Sequence, residues 1–308
     1  MIDLAKISVI VPNFNHATYL RQRLESIFNQ TYSNFEVILL DDCSTDGSVE
    51  ILEEFAKHEK VTHFICNDHN SGSTFLQWKK GIELAIGEFI WIAESDDFAR
   101  LDLLEHLIPH FLNPNISLVN CRCELISSGG HILSIKHEKD RGERSCLLDG
   151  NYEIMNNLTI HNTIVNASGT IFRKSVLDGI DFPKDYQFSG DWYINIEMLK
   201  GRQFYYCGEK LNFYRINQQG VTFKKRDLAT EKRRYTEYIH TIKSAFRVLN
   251  QQVKFSPIKH SWLSSEWYNL SQYFGNQYAY YLPPLPFILS IQFYYLLIKN
   301  GLINLFRR

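Results

Sequence analysis

The chain has 308 residues, 44% of them hydrophobic and 22% charged, with a formal net charge of −1. This composition supplies ample apolar surface for a core, and the near-neutral balance excludes nucleic-acid binding by bulk electrostatics. Six cysteines (43, 66, 121, 123, 146, 207) show no paired metal-ligand spacing beyond the weak Cys121-x-Cys123, and buried thiols in a reducing compartment are expected.

The chain passes from Met-Ile-Asp directly into a strand without a basic and apolar leader, so a cytoplasmic catalytic part is expected. Ile7–Val11 reads as a buried strand stopped by Pro12 and followed by the polar turn Pro12–Thr18, in which Phe14 is the apolar exception. A helix starts near Thr18 with Leu20, Leu24, Ile27 and Phe28 on one face. Val37–Leu40 is a second buried strand, ending at Asp41-Asp42-Cys-Ser-Thr-Asp-Gly47, and a helix with Val49, Leu52, Phe55 and Ala56 inward follows. Val61–Cys66 is a third strand, followed by Asn70-Ser-Gly-Ser-Thr74 and a helix carrying Leu76, Lys79, Lys80, Ile82, Leu84 and Ala85.

Phe89-Ile-Trp-Ile-Ala-Glu-Ser-Asp-Asp97 organises the rest. It is a buried strand that delivers Glu94, Asp96 and Asp97 at its carboxyl end. A further helix (Leu103, Leu104, Leu107, Ile108, Phe111) and the strand Ile116–Cys121 complete the first half. This alternation predicts an α/β fold with a doubly wound, mostly parallel sheet covered on both sides.

Two acid pairs, Asp41-Asp42 and Asp96-Asp97, therefore fall at the same sheet edge, where ligands of open α/β proteins bind. A single aspartate there is as often a helix cap or a solvated turn. Two pairs facing one crevice favour a ligand, since clustered acids are stable together mainly when a cation or donors neutralise them. Neither G-x-G-x-x-G nor G-x-x-x-x-G-K-[ST] is present, and the first loop has no Lys or Arg before Arg21. Phosphates bound without a glycine cradle are commonly bridged by a metal on carboxylates. Phe14 opposite the first acid pair suits a base or ribose. A nucleoside diphosphate with a divalent metal is the expected ligand class.

Several segments together carry a specific resemblance: Ile7-Ser-Val-Ile-Val-Pro-Asn-Phe-Asn15, Ser26-Ile-Phe-Asn-Gln-Thr-Tyr32, Asp41-Asp-Cys-Ser-Thr-Asp-Gly-Ser48, Asn70-Ser-Gly72 and Glu94-Ser-Asp-Asp97. In order and spacing they resemble family 2 glycosyltransferases over about residues 5 to 225. The resemblance implies a GT-A fold and inverting transfer from a nucleoside-diphosphate sugar, with a UDP-sugar the expected donor. It also implies that Pro12 and Phe14 line the nucleobase pocket, with Asp41 and Gly72 beside it, and that Asp42 bonds the base. Asp96 would face ribose or sugar hydroxyls, and Asp97 would hold Mg²⁺ or Mn²⁺. Glu94 stands where the family often has Asp. Leu76-Gln-Trp-Lys79 stands where the family often has Ala-Arg-Asn, so the donor-facing cation is Lys79 or Lys80, or is missing.

Ser127–Gly150, polar and charged, reads as a long loop between subregions. Asn166-Ala-Ser-Gly-Thr-Ile-Phe-Arg173 resembles the strand backing the family's acceptor site, which marks Gly169. Phe188-Ser-Gly-Asp-Trp-Tyr193 resembles its acid-Trp motif at a helix start. Inverting transfer needs a base opposite the leaving group. Asp191 is the candidate, with Trp192 beside it on the acceptor side; the alternative is an N-cap aspartate. In Phe213–Thr222, which resembles the segment closing over the diphosphate, Asn217 replaces a frequent His. Arg215 is the residue to compensate, or else a surface ion pair.

The domain reading is a glycosyltransferase domain at 1–225, with a nucleotide half at 1–125 and an acceptor half at 126–225. A helical, aromatic-rich extension at 226–308 follows. Its apolar run Leu285–Ile298 is too short to span a bilayer, which takes about 20 residues. Interfacial membrane docking and packing on the catalytic domain or a second subunit both stand open. The expected protein is thus a metal-dependent inverting glycosyltransferase of surface polysaccharide or glycolipid synthesis, cytoplasmic or peripheral on the inner face of the plasma membrane. Its acceptor would be a glycan or lipid-linked hydroxyl. A nucleotidyltransferase is one rival, but it needs a glycine-rich basic loop after the first strand. The other is a non-catalytic, membrane-docked sugar-nucleotide-binding protein, against which the four aspartates 42, 96, 97 and 191 count.

Overall fold

The computed structural model describes residues 5–133, 140–183, 185–216 and 227–248. The first half is β1 (Ile7–Asn13), α1 (Ala17–Phe28), β2 (Phe35–Asp41), α2 (Ser48–Phe55), β3 (Val61–Cys66), α3 (Thr74–Leu84) and β4 (Phe89–Ile92). Then come β5 (Phe98–Ala99), α4 (Leu103–Leu107), β6 (Ile116–Ile126), β7 (Cys146–Asp149) and α5 (Gly150–Glu153). The last described elements are β8 (Thr170–Arg173), α6 (Lys174–Leu177), α7 (Gly190–Leu199), β9 (Gln203–Arg215) and α8 (Leu228–Val248).

The strands form one sheet in the order β3-β2-β1-β4-β8-β6-β9-β5, with β7 also on β9. β1 to β4, β6 and β9 run one way, and β5, β7 and β8 run against them. The mostly parallel, doubly wound expectation therefore holds. Every residue of β1 and β2 is buried, because helices cover both sheet faces. Alternate residues serve opposite layers: Ile10, Ile38 and Ile92 meet α3, α7 and α8, whereas Val9, Val37 and Trp91 meet α1, α2 and α4. Gly81 lets α3 lie close to β1, since a Cβ there would sit 2.4 Å from Ile10.

Two differences from the sequence reading concern the second half. The strand expected at Ile116–Cys121 runs on to Ile126 against β9, and the end of the expected 127–150 loop is β7. α8, beyond the line drawn at 225, packs Tyr235, Ile239 and Ile242 into the same core as Trp192 and Ile196. Its Glu237 also accepts hydrogen bonds from the backbone N–H groups of Gln187, Phe188 and Ser189. The apolar run Leu285–Ile298 and the rest of 249–308 lie outside the described residues, as does Asn217. Among the described residues no helix is long and apolar enough to cross a membrane.

The functional crevice follows from strand order. β1 pairs with β2 through Asn13, but β4 pairs with β1 only as far as Ile10. Pro12 therefore lies where β1 has one neighbour, and its missing N–H leaves no ladder gap on the other side. Beyond that point β1 and β4 part, the usual ligand position at a topological switch.

Candidate active site

On one side of the crevice stand the two acids that end β2, and the fold uses them differently. Asp41 is fully buried and accepts from Asn13 Nδ2 (2.8 Å), Ser44 N (2.7 Å) and Ser44 Oγ (2.7 Å). Asp42 faces the Asn70–Ser73 turn. It accepts from Asn67 Nδ2 (2.7 Å), Gln77 Nε2 (2.9 Å), and both N (2.9 Å) and Oγ (2.8 Å) of Ser71. Phe14, 43% exposed, offers its ring beside them. Gly72 takes φ +77° in that turn, a conformation natural to glycine.

On the other side lies the acidic turn after β4. Asp97 is buried and accepts from Arg215 N (2.8 Å) and Asn166 Nδ2 (2.7 Å). Burial, then repulsion from Asp96, holds its carboxyl above the usual range, with Arg23 opposing. Glu94 accepts from Trp78 Nε1 at 2.8 Å. Burial and the neighbouring Asp96 push its pKa up to about 8, so it is protonated at neutral pH. Ser95 Oγ meets His16 Nδ1 at 2.8 Å, tying this turn to the loop after β1. Below the acids lies Arg23, fully buried, its guanidinium 4.9 Å from the Trp91 ring and without a hydrogen-bond partner among the described residues. Burial lowers its pKa to about 10, while Asp97, Glu94 and Asp96 favour its charge. A cation inside an apolar layer is explained by this field: the charges of Asp96 and Asp97 offset that of the arginine.

The third wall is α7. Asp191 is the second residue of that helix, and Ser189 holds the N-cap position. Its Oδ2 accepts from Asn162 Nδ2 at 2.9 Å. Asp191 is therefore not the N-cap residue, and the N–H groups of Gln187, Phe188 and Ser189 ahead of the helix are met by Glu237.

A closed circuit of contacts joins these walls. Gln77 on Asp42 and Trp78 on Glu94 are consecutive residues of α3. Gly72 O accepts from Gln187 Nε2 (2.8 Å) and Tyr186 O from Ser73 Oγ (2.6 Å), which brings the Asp42 turn to the segment entering α7. Asp97, Asp96 and Asp191 all act on Tyr214, whose phenol is pushed upward first by burial and then by these three charges. Hydrogen bonds through α3 and the 72–73 turn thus link the acids of β2, the β4 turn and the start of α7, although they are far apart along the chain. A hollow of about 20 Å³ is lined by Asn120, Arg122, Cys123, Asp140, Thr163 and Tyr206.

Six expected site residues serve local contacts or packing instead. Asp41 serves its own loop. Lys79 pairs with Glu83 along α3 at 3.7 Å, whereas Lys80 donates to Asn67 Oδ1 (2.8 Å) behind Asp42. Arg215 is 3% exposed and neither a surface ion pair nor open to a phosphate. Its guanidinium donates to Asp96 O (2.7 Å), Ser127 O (3.1 Å), Ser128 O (3.0 Å) and Gln22 Oε1 (2.9 Å), over the Tyr19 ring. Trp192 is buried, with Nε1 donating to Leu158 O at 2.8 Å. Gly169 is a packing position, since a Cβ there would lie 3.0 Å from Cys123 Sγ.

Sequence reasoning passed over Arg23, Gln77, Trp78, Asn162 and Tyr214. Arg23 had a signal: it lies between Leu20 and Ile27 on the apolar stripe of α1, where a charge demands a partner. Trp78 and Glu94 are joined by a hydrogen bond that motif spacing alone does not reveal.

Among the described residues no three His, Cys, Asp or Glu side chains could cage a metal ion. Asp96 and Asp97, adjacent carboxylates in the turn after β4, are oxygen donors of the kind that a divalent cation takes.

An α/β sheet with acids gathered at the switch between β1 and β4 defines a GT-A-type nucleotide-sugar fold. The model of glycosyl transferase family 2 matches residues 8–180, and the chain belongs to that family. The poly(ribitol-phosphate) beta-N-acetylglucosaminyltransferase TarP of Staphylococcus aureus is 24% identical over 252 residues, covering 80% of this chain and 72% of TarP. The crystal structure of S. aureus TarS 1-349 with UDP-GlcNAc superposes with a TM-score of 0.64 at 18% identity, covering 94% of this chain and 78% of that one. The mannosyltransferase PcManGT of Pyrobaculum calidifontis, with GDP-Man and Mn²⁺, gives a TM-score of 0.55 at 14% identity, covering 98% and 88%. Several curated relatives are matched over only 30% to 65% of their own length.

Proposed function

We propose that the chain is an inverting glycosyltransferase that moves a sugar from a nucleoside-diphosphate donor, a UDP-sugar, to a hydroxyl of a glycan or lipid-linked acceptor. The setting is surface polysaccharide synthesis at the inner face of the plasma membrane. The observation that carries the reading is the circuit joining Asp42, the Glu94–Asp97 turn and Asp191. Family membership, the UDP-GlcNAc in TarS and the acceptor in TarP's name support donor and acceptor class.

In this reading Phe14 stacks on the base, and Asp42, its oxygens met by Asn67, Ser71 and Gln77, holds the turn that shapes the pocket. Asp96 faces ribose or sugar hydroxyls. Asp97, steadied by Asn166 and Arg215 N, would hold Mg²⁺ or Mn²⁺. That ion, when bound, supplies positive charge to the departing diphosphate. Asp191 takes the proton of the attacking hydroxyl from the face opposite the leaving group, and the rest of the site supplies proximity.

The test pairs binding with turnover. Thermal melts against a panel of nucleotide sugars, with and without Mn²⁺, identify the donor by selective stabilisation. Asp97→Ala should lose both the Mn²⁺-dependent part of that stabilisation and transfer. Asp191→Asn should keep the melting shift and lose transfer by at least about 100-fold, the usual scale for a general base. Full turnover in either variant removes the role assigned to that residue.

A further inference from the structure

We propose that Asn162 is a positioning residue that fixes the plane of the Asp191 carboxylate; the proposal rests on the reading of Asp191 as the base. A carboxylate in the first turn of a helix has freedom about χ1 and χ2, and a base must present its lone pair to one hydroxyl. Asn162 removes that freedom. Its Oδ1 accepts from Ile164 N (3.2 Å) and Asn195 Nδ2 (3.3 Å), which leaves Nδ2 to donate to Asp191 Oδ2 at 2.9 Å. The amide orientation thus follows from its partners. Asn195 is buried one helical turn beyond Asp191, so a single side chain from outside α7 is locked to two of its residues.

The segment that carries Asn162 is itself anchored. Leu158 O accepts from Trp192 Nε1, the residue after Asp191. Next to Asn162, Thr163 donates to the buried Glu153, which also accepts from Asn157 Nδ2 (2.8 Å) and pairs with Arg141. Glu153, Thr163 and Asn162 therefore form a relay of contacts from the core of the acceptor half to the base. No other part of the described fold explains why an asparagine is pinned at both ends of its amide here.

The discriminating variant is Asn162→Asp. It keeps an acceptor for Ile164 N and Asn195 while replacing the donor that faces Asp191 with a second carboxylate. Two facing carboxylates share a proton, so the pair titrates upward. The other titratable groups around Asp191 are Tyr214 of β9, with Asp96 and Asp97 beyond it, and His161 in Asn162's own segment. On α8 stands Tyr238, whose own neighbours include Arg234, Glu231 and Glu237. Both tyrosines are pushed up, Tyr238 to about 12, and stay neutral across the assay range.

Expected in Asn162→Asp is an acid limb of the kcat profile displaced upward by at least about one pH unit, with rate recovering at high pH. Asn162→Ala should lower kcat at least about tenfold, with the donor KM within about threefold of wild type. UDP-induced melting shifts report that both variants fold and bind. A merely structural Asn162 would lower the melting temperature of Asn162→Ala and leave its kcat unchanged, and that result overturns the proposal. If Asp191→Asn is inactive while Asn162→Asp superimposes on wild type, the base stands and the positioning role falls. If Asp191→Asn remains active, both fall.

Discussion

Arg215→Lys separates a clamp from a phosphate ligand. The clamp reading follows from four charge-assisted hydrogen bonds that join α1, the acidic turn and the 127–128 turn at one buried guanidinium. A lysine keeps the charge but presents a single nitrogen on a flexible stem, which reaches about two of those acceptors. Hydrogen bonds to charged groups contribute roughly 1.5 to 3 kcal/mol each, so losing two costs about 3 kcal/mol or somewhat more. For a chain of this size that lowers the melting temperature by about 5 °C or more. The same change frees Asp96 O and loosens the turn that carries Asp97, so kcat should fall at least about tenfold even where the donor saturates. Urea unfolding and steady-state kinetics on one preparation measure both. A phosphate ligand would behave oppositely: Arg215→Lys would leave stability within about 1 kcal/mol and raise mainly the donor KM. That outcome refutes the clamp.

Two further outcomes are expected. Glu94 ionises near pH 8 in the folded chain and near 4.5 when unfolded, so between those values the unfolded state releases a proton that the native state keeps. Its contribution to stability is full below about pH 4.5 and declines up to about pH 8. Glu94→Gln should therefore flatten the fall in melting temperature between pH 5 and 8 in metal-free protein; an unchanged slope contradicts a protonated Glu94. Gly190→Ala places a Cβ 2.5 Å from the Phe75 ring. Overpacking of this kind costs about 1 to 3 kcal/mol, and Phe75→Leu in the same chain should restore most of it in chemical denaturation.

Much of the fold was legible because its signals are local. A strand buried on both faces reads as an uninterrupted apolar run, as in Ile7–Val11 and Val37–Leu40, and acids stand out where such a run stops. The second half was harder to read. β7 is a four-residue partner of β9 in a polar context, and β6 outruns its apolar stretch because β9 pairs with it through Ile126. Neither length is set by residues adjacent in sequence.

The site divided in the same way. The polypeptide by itself determined which groups are acids, at which strand ends they emerge, and the kinship that the family match bears out; these depend on residue type and spacing along one strand or turn. Only tertiary structure decided what each group does. Asp41 and Asp42 are neighbours of the same chemistry, yet one closes a loop and the other faces the crevice. Arg215 became a clamp because carbonyls from Asp96, Ser127 and Ser128 surround it. Arg23, silent in the motif reading, lies beneath three acids. The physical reason is that hydrogen bonding and charge compensation are satisfied by whichever groups converge in space, and nothing in a local run of sequence names those partners.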